Sequence, residues 1–327
     1  MKSRKTVLLT AVLLGFAIGS GWTPSSTGRS LAPQGDSSSK KAKKGAARPV
    51  TVPVGIKLRG TRPEAELQLL DLNVTEDGDP QFKSSIRSAA AGSPMTLAIL
   101  IQDDLVSTAS LEIKALAEFI RKLPKGTRVM IGYIRTGSLD VRQKFTVDLE
   151  KAASSLRIPL GLASAAPFNP YVEVLEGLSR FDSQPAGRRS MLVISDGLDV
   201  SRGIDSSAPT QSLDLQRAIN QAQRRSVAIY SFYVPSVVLA SSGNQLLIGN
   251  GQSSLERLAD ETGGKAFFQG TGAPVSFNPF LKELGASLER QIALTYLSTH
   301  PNKGFHRLQI RSLTPGVELT YPAGYSR

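Results

Sequence analysis

Between residues 94 and 290 the chain alternates short apolar runs with stretches of helical spacing, and this alternation restricts its fold more than any other feature. Thr96-Leu97-Ala98-Ile99-Leu100-Ile101 is apolar at every position after its Thr, as a strand covered on both faces requires. Leu111, Ala115, Phe119, Ile120 and Leu123 then recur at helical spacing until Pro124 stops the run. Val129–Ile134, Met191–Ile194 and Val227–Phe232 read as further strands, and Leu213–Arg224 and Ser254–Thr262 as helices, the second closed by Gly263-Gly264. Strands and helices in alternation predict an α/β fold: a doubly wound, mostly parallel sheet with helices on both faces, spanning residues 91–290.

The flanks read differently. Val50, Val52, Val54, Ile56 and Leu58 alternate along one face of a strand, and Ala65–Leu69 alternates again. Leu72-Asn73-Val74-Thr75-Glu76 leads into Asp77-Gly78, a hairpin turn signal, and the ribbon continues around Phe82 and Ile86. Three such strands make no independent core. Ile292–Leu297, Arg307–Ile310 and Val317–Tyr321 supply more strands, the last two separated by Thr314-Pro315-Gly316. Residues 50–90 and 291–327 are therefore expected to join as one small β subdomain.

The N-terminus carries the charge. Of 39 Lys/Arg and 27 Asp/Glu, residues 1–50 hold nine basic and one acidic, leaving 30 against 26 in the folded part. That near-balance argues against a nucleic-acid partner. Lys2, Arg4 and Lys5 precede thirteen mainly apolar residues, Thr6–Ile18, and then Gly19-Ser20-Gly21, the pattern of a secretory signal over residues 1–21. The run is shorter than the roughly 20 residues a membrane-spanning helix needs. Residues 22–49, rich in Ser, Pro, Gly, Ala and Lys, read as a disordered basic linker whose Lys40-Lys41-Ala42-Lys43-Lys44 suits contact with an anionic envelope surface. Export ends in the periplasm, on the surface or outside.

Four segments together resemble the von Willebrand factor A domain, and in particular exported bacterial proteins related to it: Ile99–Leu105, Phe145–Leu149, Arg189–Gly197 and Leu255–Phe268. Glu76-Asp77-Gly78 and the closing Pro322-Ala323-Gly324-Tyr325 also look like that family, so the resemblance covers roughly residues 65–327. It implies a six-stranded sheet and binding at the C-terminal strand ends, at a divalent cation held by a D-x-S-x-S loop, a Thr and an Asp. Here the motif is degenerate. Asp103 and Asp196 keep the two acidic positions and Ser107 one hydroxyl, but Leu105 replaces the first Ser. Leu162–Tyr171 has no Thr, with Phe168 and Asn169 near its place.

Asp103, Ser107 and Asp196 are thus the candidate metal ligands for a weakly bound Mg²⁺ or Ca²⁺. Two carboxylates about 4 Å apart repel by roughly 4 kcal/mol at an effective dielectric of about 20, so a cation, a proton or a basic side chain must relieve them. Arg135, at the end of the strand beside the first one, is the candidate stand-in with Asp103 as its partner. Both the metal-bound and the metal-free readings stay open at this point.

Two loops reach the same rim. Leu198–Thr210 reads as polar and flexible. In Pro235–Gln252, Val237-Val238-Leu239 and Leu246-Leu247-Ile248 flank Ser241-Ser242-Gly243-Asn244 as an inserted β-hairpin would. These six apolar residues, with Phe168 and Asn169, are the candidate partner-binding surface. Enzyme chemistry finds little footing: there is no Cys, His300 and His306 read as surface residues at strand ends, and no nucleophile elbow, zinc-protease pair, P-loop or dinucleotide fingerprint occurs. The expected function is an exported, non-enzymatic adhesion or scaffold protein that binds another protein through the rim. The alternative is an envelope assembly component acting through its β subdomain, without metal-dependent binding.

Overall fold

The computed structural model describes residues 47–58, 71–88, 93–108 and 112–327; the expected signal, the linker up to residue 46 and the Ala65–Leu69 strand lie outside the described residues. A six-stranded sheet occupies the middle of the chain, built from β4 (Met95–Gln102), β5 (Arg128–Arg135), β6 (Ser138–Thr146), β7 (Arg188–Ser195), β8 (Ala228–Tyr233) and β9 (Ala266–Phe267). Its order is β6-β5-β4-β7-β8-β9, parallel throughout except for β6, which runs antiparallel to β5. This is the doubly wound sheet that the von Willebrand factor A resemblance implies.

Strand β4 shows why the apolar run was needed. Leu97, Ile99 and Ile101 point to one face and Ala98 and Leu100 to the other, all of them buried. The first face packs on α1 (Ile113–Arg121), α2 (Leu149–Ser154) and α7 (Asn278–Glu289) through Leu116, Ile120, Ala152, Leu281, Leu284 and Leu288. The second packs on α3 (Pro170–Ser179), α4 (Leu213–Arg225) and α6 (Gln245–Thr262) through Val174, Leu178, Leu215, Ile219 and Leu258. Each such side chain taken out of water contributes about 1.5–3 kcal/mol.

The flanking segments meet as expected. Strands β1 (Arg48–Leu58), β2 (Leu72–Glu76), β3 (Asp79–Arg87), β10 (Gln291–Ser298), β11 (Phe305–Ser312), β12 (Val317–Thr320) and β13 (Gly324–Ser326) form one sheet in the order β12-β1-β10-β3-β2-β11-β13. Val52, Val54, Val74, Ile292, Leu294, Tyr296, Leu308 and Ile310 fill its core. The β2–β3 turn needs left-handed backbone twice, at Asp77 (φ 51°) and Gly78 (φ 93°), which is the hairpin geometry that an Asp-Gly pair favours. This sheet docks at the end where β7 starts. There the buried Arg188 donates to the carbonyls of Gln291 (2.8 Å) and Leu288, and Ser226 Oγ donates to the Thr51 carbonyl. The opposite end, where the parallel strands finish, is left to loops and helices.

The expected hairpin over 235–252 is replaced by two helices, α5 (Val237–Ser242) and the first half of α6. Capping chemistry decides it. Ser236 Oγ accepts from Leu239 N (3.3 Å), Gly243 closes α5 in the left-handed region (φ 59°), and Asn244 Oδ1 accepts from Leu246 N (3.1 Å) and Leu247 N (3.3 Å). Leu247, Ile248, Gly251, Leu255 and Leu258 then fall on one helical face. The Leu198–Thr210 loop is also more ordered than its polarity suggested. Asp199 accepts from Ser201 N (3.1 Å) and Ser212 Oγ (2.5 Å), holding the loop to the start of α4.

Candidate rim site

Strands β4 and β7 are neighbours, and the chain leaves the sheet from each at the same rim, where a doubly wound sheet opens a crevice. Asp103 follows β4 and is fully buried. Its carboxylate takes Arg157 bidentately, with Nη1–Oδ1 2.6 Å and Nη2–Oδ2 2.8 Å, and accepts from Leu160 N at 3.0 Å. Arg135 adds a second cation, Nε–Oδ2 3.3 Å, as the sequence suggested. The Arg157 guanidinium lies 3.9 Å from the Tyr133 ring centroid, and its hydrogen bond to Asp103 holds its pKa above the ordinary guanidinium value.

Arg157 was missed by sequence reasoning. It sits after α2, 54 residues from its partner, in no motif.

Asp103 therefore faces the β5 side of the rim. The acid that faces Asp196 is its neighbour Asp104, which the sequence reading passed over. Gln102 bridges the two sides of this pair: its Nε2 donates to Asp104 Oδ1 (2.8 Å), and its Oε1 accepts from Ser195 Oγ (2.5 Å) and Asp196 N (3.2 Å). Asp196 Oδ1 accepts from Leu198 N at 3.1 Å, an Asx-type turn. Both carboxyls are buried. Burial first and the nearby Asp196 second push Asp104 up to about 6. Burial likewise raises Asp196, against the opposing hydrogen bonds from Ser236, Leu198 and Gln102. Ser107, the third expected metal ligand, is exposed.

Asp104 and Asp196 stand at the base of a cavity of about 520 Å³ whose walls include Phe168, Leu198, Ile204, Val238 and Leu247. The expected partner-binding residues divide into two sets. Phe168, Val238 and Leu246 are 67%, 52% and 67% exposed. Val237 is half-buried, and Leu239, Leu247 and Ile248 are buried against Leu198, Tyr233 and Leu255. Asn169 is buried as the cap of α3, accepting from Tyr171 N (3.0 Å) and donating to Asp214 (2.8 Å). Of these residues, Phe168, Val238, Leu239 and Leu247 line the cavity, and Asn169, Val237, Leu246 and Ile248 lie outside its lining.

His306 differs from expectation, and His300 is partly exposed after the end of β10. His306 is buried, stacked on Tyr325 at 5.1 Å between centroids, and hydrogen-bonded to Asp77 Oδ2 (2.8 Å) and the Asn302 carbonyl (3.0 Å). Its burial comes from β13, the last strand of the sheet.

No family model and no curated protein matches the sequence. Solved structures similar to it include a von Willebrand factor type A protein from Catenulispora acidiphila, at 11% identity and TM-score 0.42, over 88% of this chain and 75% of that one. An aerotolerance-related membrane protein from Bacteroides fragilis aligns at 13% identity and TM-score 0.41, over 60% of this chain and 98% of that one. The BatB protein from Bacteroides thetaiotaomicron aligns at 10% identity and TM-score 0.39, over 60% and 97%. The reading of residues 91–290 as a von Willebrand factor A-related domain rests on the strand order and on Asp103 and Asp196 following neighbouring strands.

Proposed function

We propose that this chain is an exported envelope protein of the binding or scaffold kind, which captures another protein through the rim cavity and catalyses nothing. The observation that carries the reading is the cavity itself: about 520 Å³, largely apolar, with Phe168, Ile204 and Val238 presented at its walls. Exposed apolar side chains around a concave site mark a place where a partner's side chain is taken out of water. Asp104 and Asp196 at the base offer hydrogen-bond acceptors to a donor on that side chain, and so give the site orientation as well as area.

The metal-free reading is favoured at Asp103. Two guanidinium groups and a backbone N–H already meet its oxygens, which leaves a divalent cation little to coordinate. The mechanism would then differ from cation-bridged adhesion: contact is made by apolar side chains, and the arginines only hold the strand ends in place. Ser195 Oγ is committed to Gln102, and the two histidines lie in or beside the other sheet, so among the described residues no serine–histidine pair forms at the rim. The edge strands of the seven-stranded sheet, β12 and β13, have four and three residues, short for strand addition by a partner.

Among the described residues no helix is long and apolar enough to cross a membrane. The signal-like N-terminus supports delivery to the envelope, and the basic linker supports contact with an anionic surface there.

The test uses a random peptide library displayed on phage and selected on the full chain. Binding of the recovered peptides should fall at least about tenfold in Phe168→Asp and Val238→Asp, two exposed positions where a charge leaves the core untouched. Peptides that bind both variants as tightly as the parent would refute the rim reading.

A further inference from the structure

We propose that Glu76, Asp77 and His300 form a binding site for a divalent transition metal of the zinc class, at the β2–β3 hairpin end of the seven-stranded sheet and remote from the rim. One ligand atom from each of the three lies within 4.8 Å of the others. Glu76 ends β2, Asp77 is the turn residue, and His300 follows β10, so the hairpin and the end of β10 are brought to one point.

Three observations point to a cation there. Glu76 is fully buried, and its Oε2 has no hydrogen-bond partner, nor has the buried His300 Nδ1. A buried carboxylate oxygen and a buried imidazole nitrogen that make no hydrogen bond are each costly alone. A metal ion satisfies both. The two side chains also stand close, with His300 Nδ1 3.3 Å from the same carboxylate's Oε1.

The surroundings are those of a held ligand set. His300 Nε2 lies 3.2 Å from Asp79 Oδ2, the carboxylate contact that fixes a metal-ligating imidazole with its other nitrogen turned inward. Glu76 Oε1 accepts from Ser298 Oγ and from Tyr325 Oη, each at 2.9 Å, so the carboxylate is oriented with Oε2 left over. Asp77 Oδ1 accepts from Arg307 N at 2.8 Å.

His306 plays a different part. Both its nitrogens are engaged, by Asp77 Oδ2 and the Asn302 carbonyl, so His306 braces Asp77 and offers no free ligand atom of its own. A donor set that includes imidazole selects zinc or its neighbours over magnesium and calcium, which prefer oxygen alone.

The experiment is isothermal titration of the full, tag-free chain with ZnCl₂ after dialysis against a chelator, repeated with MgCl₂ and CaCl₂. One saturable equivalent of zinc is expected, with neither of the other ions competing. His300→Ala, at a partly exposed position outside the core, should abolish that binding, and Asp79→Asn should weaken it about 10–100-fold through the lost orientation of the ring. Cobalt(II) should give the visible absorption of a four-coordinate site in the parent and not in His300→Ala. Absence of saturable zinc binding, or zinc binding unchanged in His300→Ala, would overturn the proposal.

Discussion

Arg157 grips Asp103 with both ends of its guanidinium, at 2.6 and 2.8 Å, from across the rim of the parallel sheet. The carboxylate is fully buried, so the pair is one whose separation is costly: removing a single partner of a buried ion pair typically costs about 3–5 kcal/mol. Arg157→Ala is expected to lower the unfolding free energy by about 3 kcal/mol, at the lower end because Arg135 stays 3.3 Å away. Arg135→Ala, which removes a side chain 44% exposed, should cost about 1 kcal/mol or less. Urea unfolding of the two variants checks the ranking. In Arg157→Ala the uncovered carboxylate should also gain a stabilisation by millimolar Mg²⁺ that the parent lacks.

Asp104 supplies a pH dependence of the opposite kind. Its folded pKa, raised to about 6 by burial and by Asp196, lies above the ordinary 3.8, so the native state holds the proton more tightly than the unfolded chain. Stability contributed by this group therefore falls as pH rises from about 4 to 6 and stays low above that. At about 1.36 kcal/mol per pKa unit, the cost reaches roughly 3 kcal/mol at pH 8. Asp104→Asn should remove it, stabilising the protein by up to about 3 kcal/mol at pH 8 and by almost nothing at pH 3.5. A stabilisation independent of pH would mean that the carboxyl is not the source.

The β sheet has its own titration. Burial alone would lower the His306 pKa, but the hydrogen bonds to Asp77 and the Asn302 carbonyl and the charges of Asp77 and Glu76 outweigh it, and the value is raised. Asp77 is lowered: desolvation opposes the shift, and the His306 and Arg307 hydrogen bonds prevail. The histidine contribution is complete below about pH 6.5 and is lost as pH rises through its folded value. The Asp77 contribution is present above about pH 3.8 and is lost as pH falls through its own. The pair thus stabilises most between those limits. His306→Gln should flatten the stability profile above pH 6.5, measured with chelator present throughout.

Packing against the rim is tight where α6 crosses the end of β7. A Cβ added to Gly251 would sit 2.2 Å from the Asp196 carbonyl oxygen, a backbone atom that cannot swing away. Gly251→Ala is expected to cost about 1–3 kcal/mol and to disturb the Asp196 turn. Thermal unfolding reports the first, and loss of selected-peptide binding reports the second.

How far these features could be read from residues alone varies with the range of the interactions. The double burial of β4 is written locally, since Leu97–Ile101 carries no polar side chain, and the neighbouring strands follow from that. Arg135 was legible because strand adjacency puts it beside Asp103. Arg157 was not, because its pairing depends on how the segment after α2 returns to the rim. The helical segment over 237–252 reads as a hairpin because β-branched Val237 and Val238 favour strands, while of the two deciding caps Asn244 looks like a turn residue and Ser236 stands outside any pattern. Asp104 was overlooked beside Asp103, though in the first turn after a strand adjacent residues face opposite sides. His306 is stacked on Tyr325 of β13, a pairing between strands that no local pattern around His306 announces.

The central claim is that the rim binds a partner through its apolar cavity and without a bridging cation. Its most direct test is the affinity of a library-selected peptide for the full chain, measured in EDTA and again in millimolar Mg²⁺ and Ca²⁺, with the parent, Val238→Asp and Asp196→Ala. The account predicts the same Kd in EDTA and in either cation for the parent, and a loss of at least about tenfold in Val238→Asp. Binding that requires the cation and disappears in Asp196→Ala while surviving in Val238→Asp would contradict it.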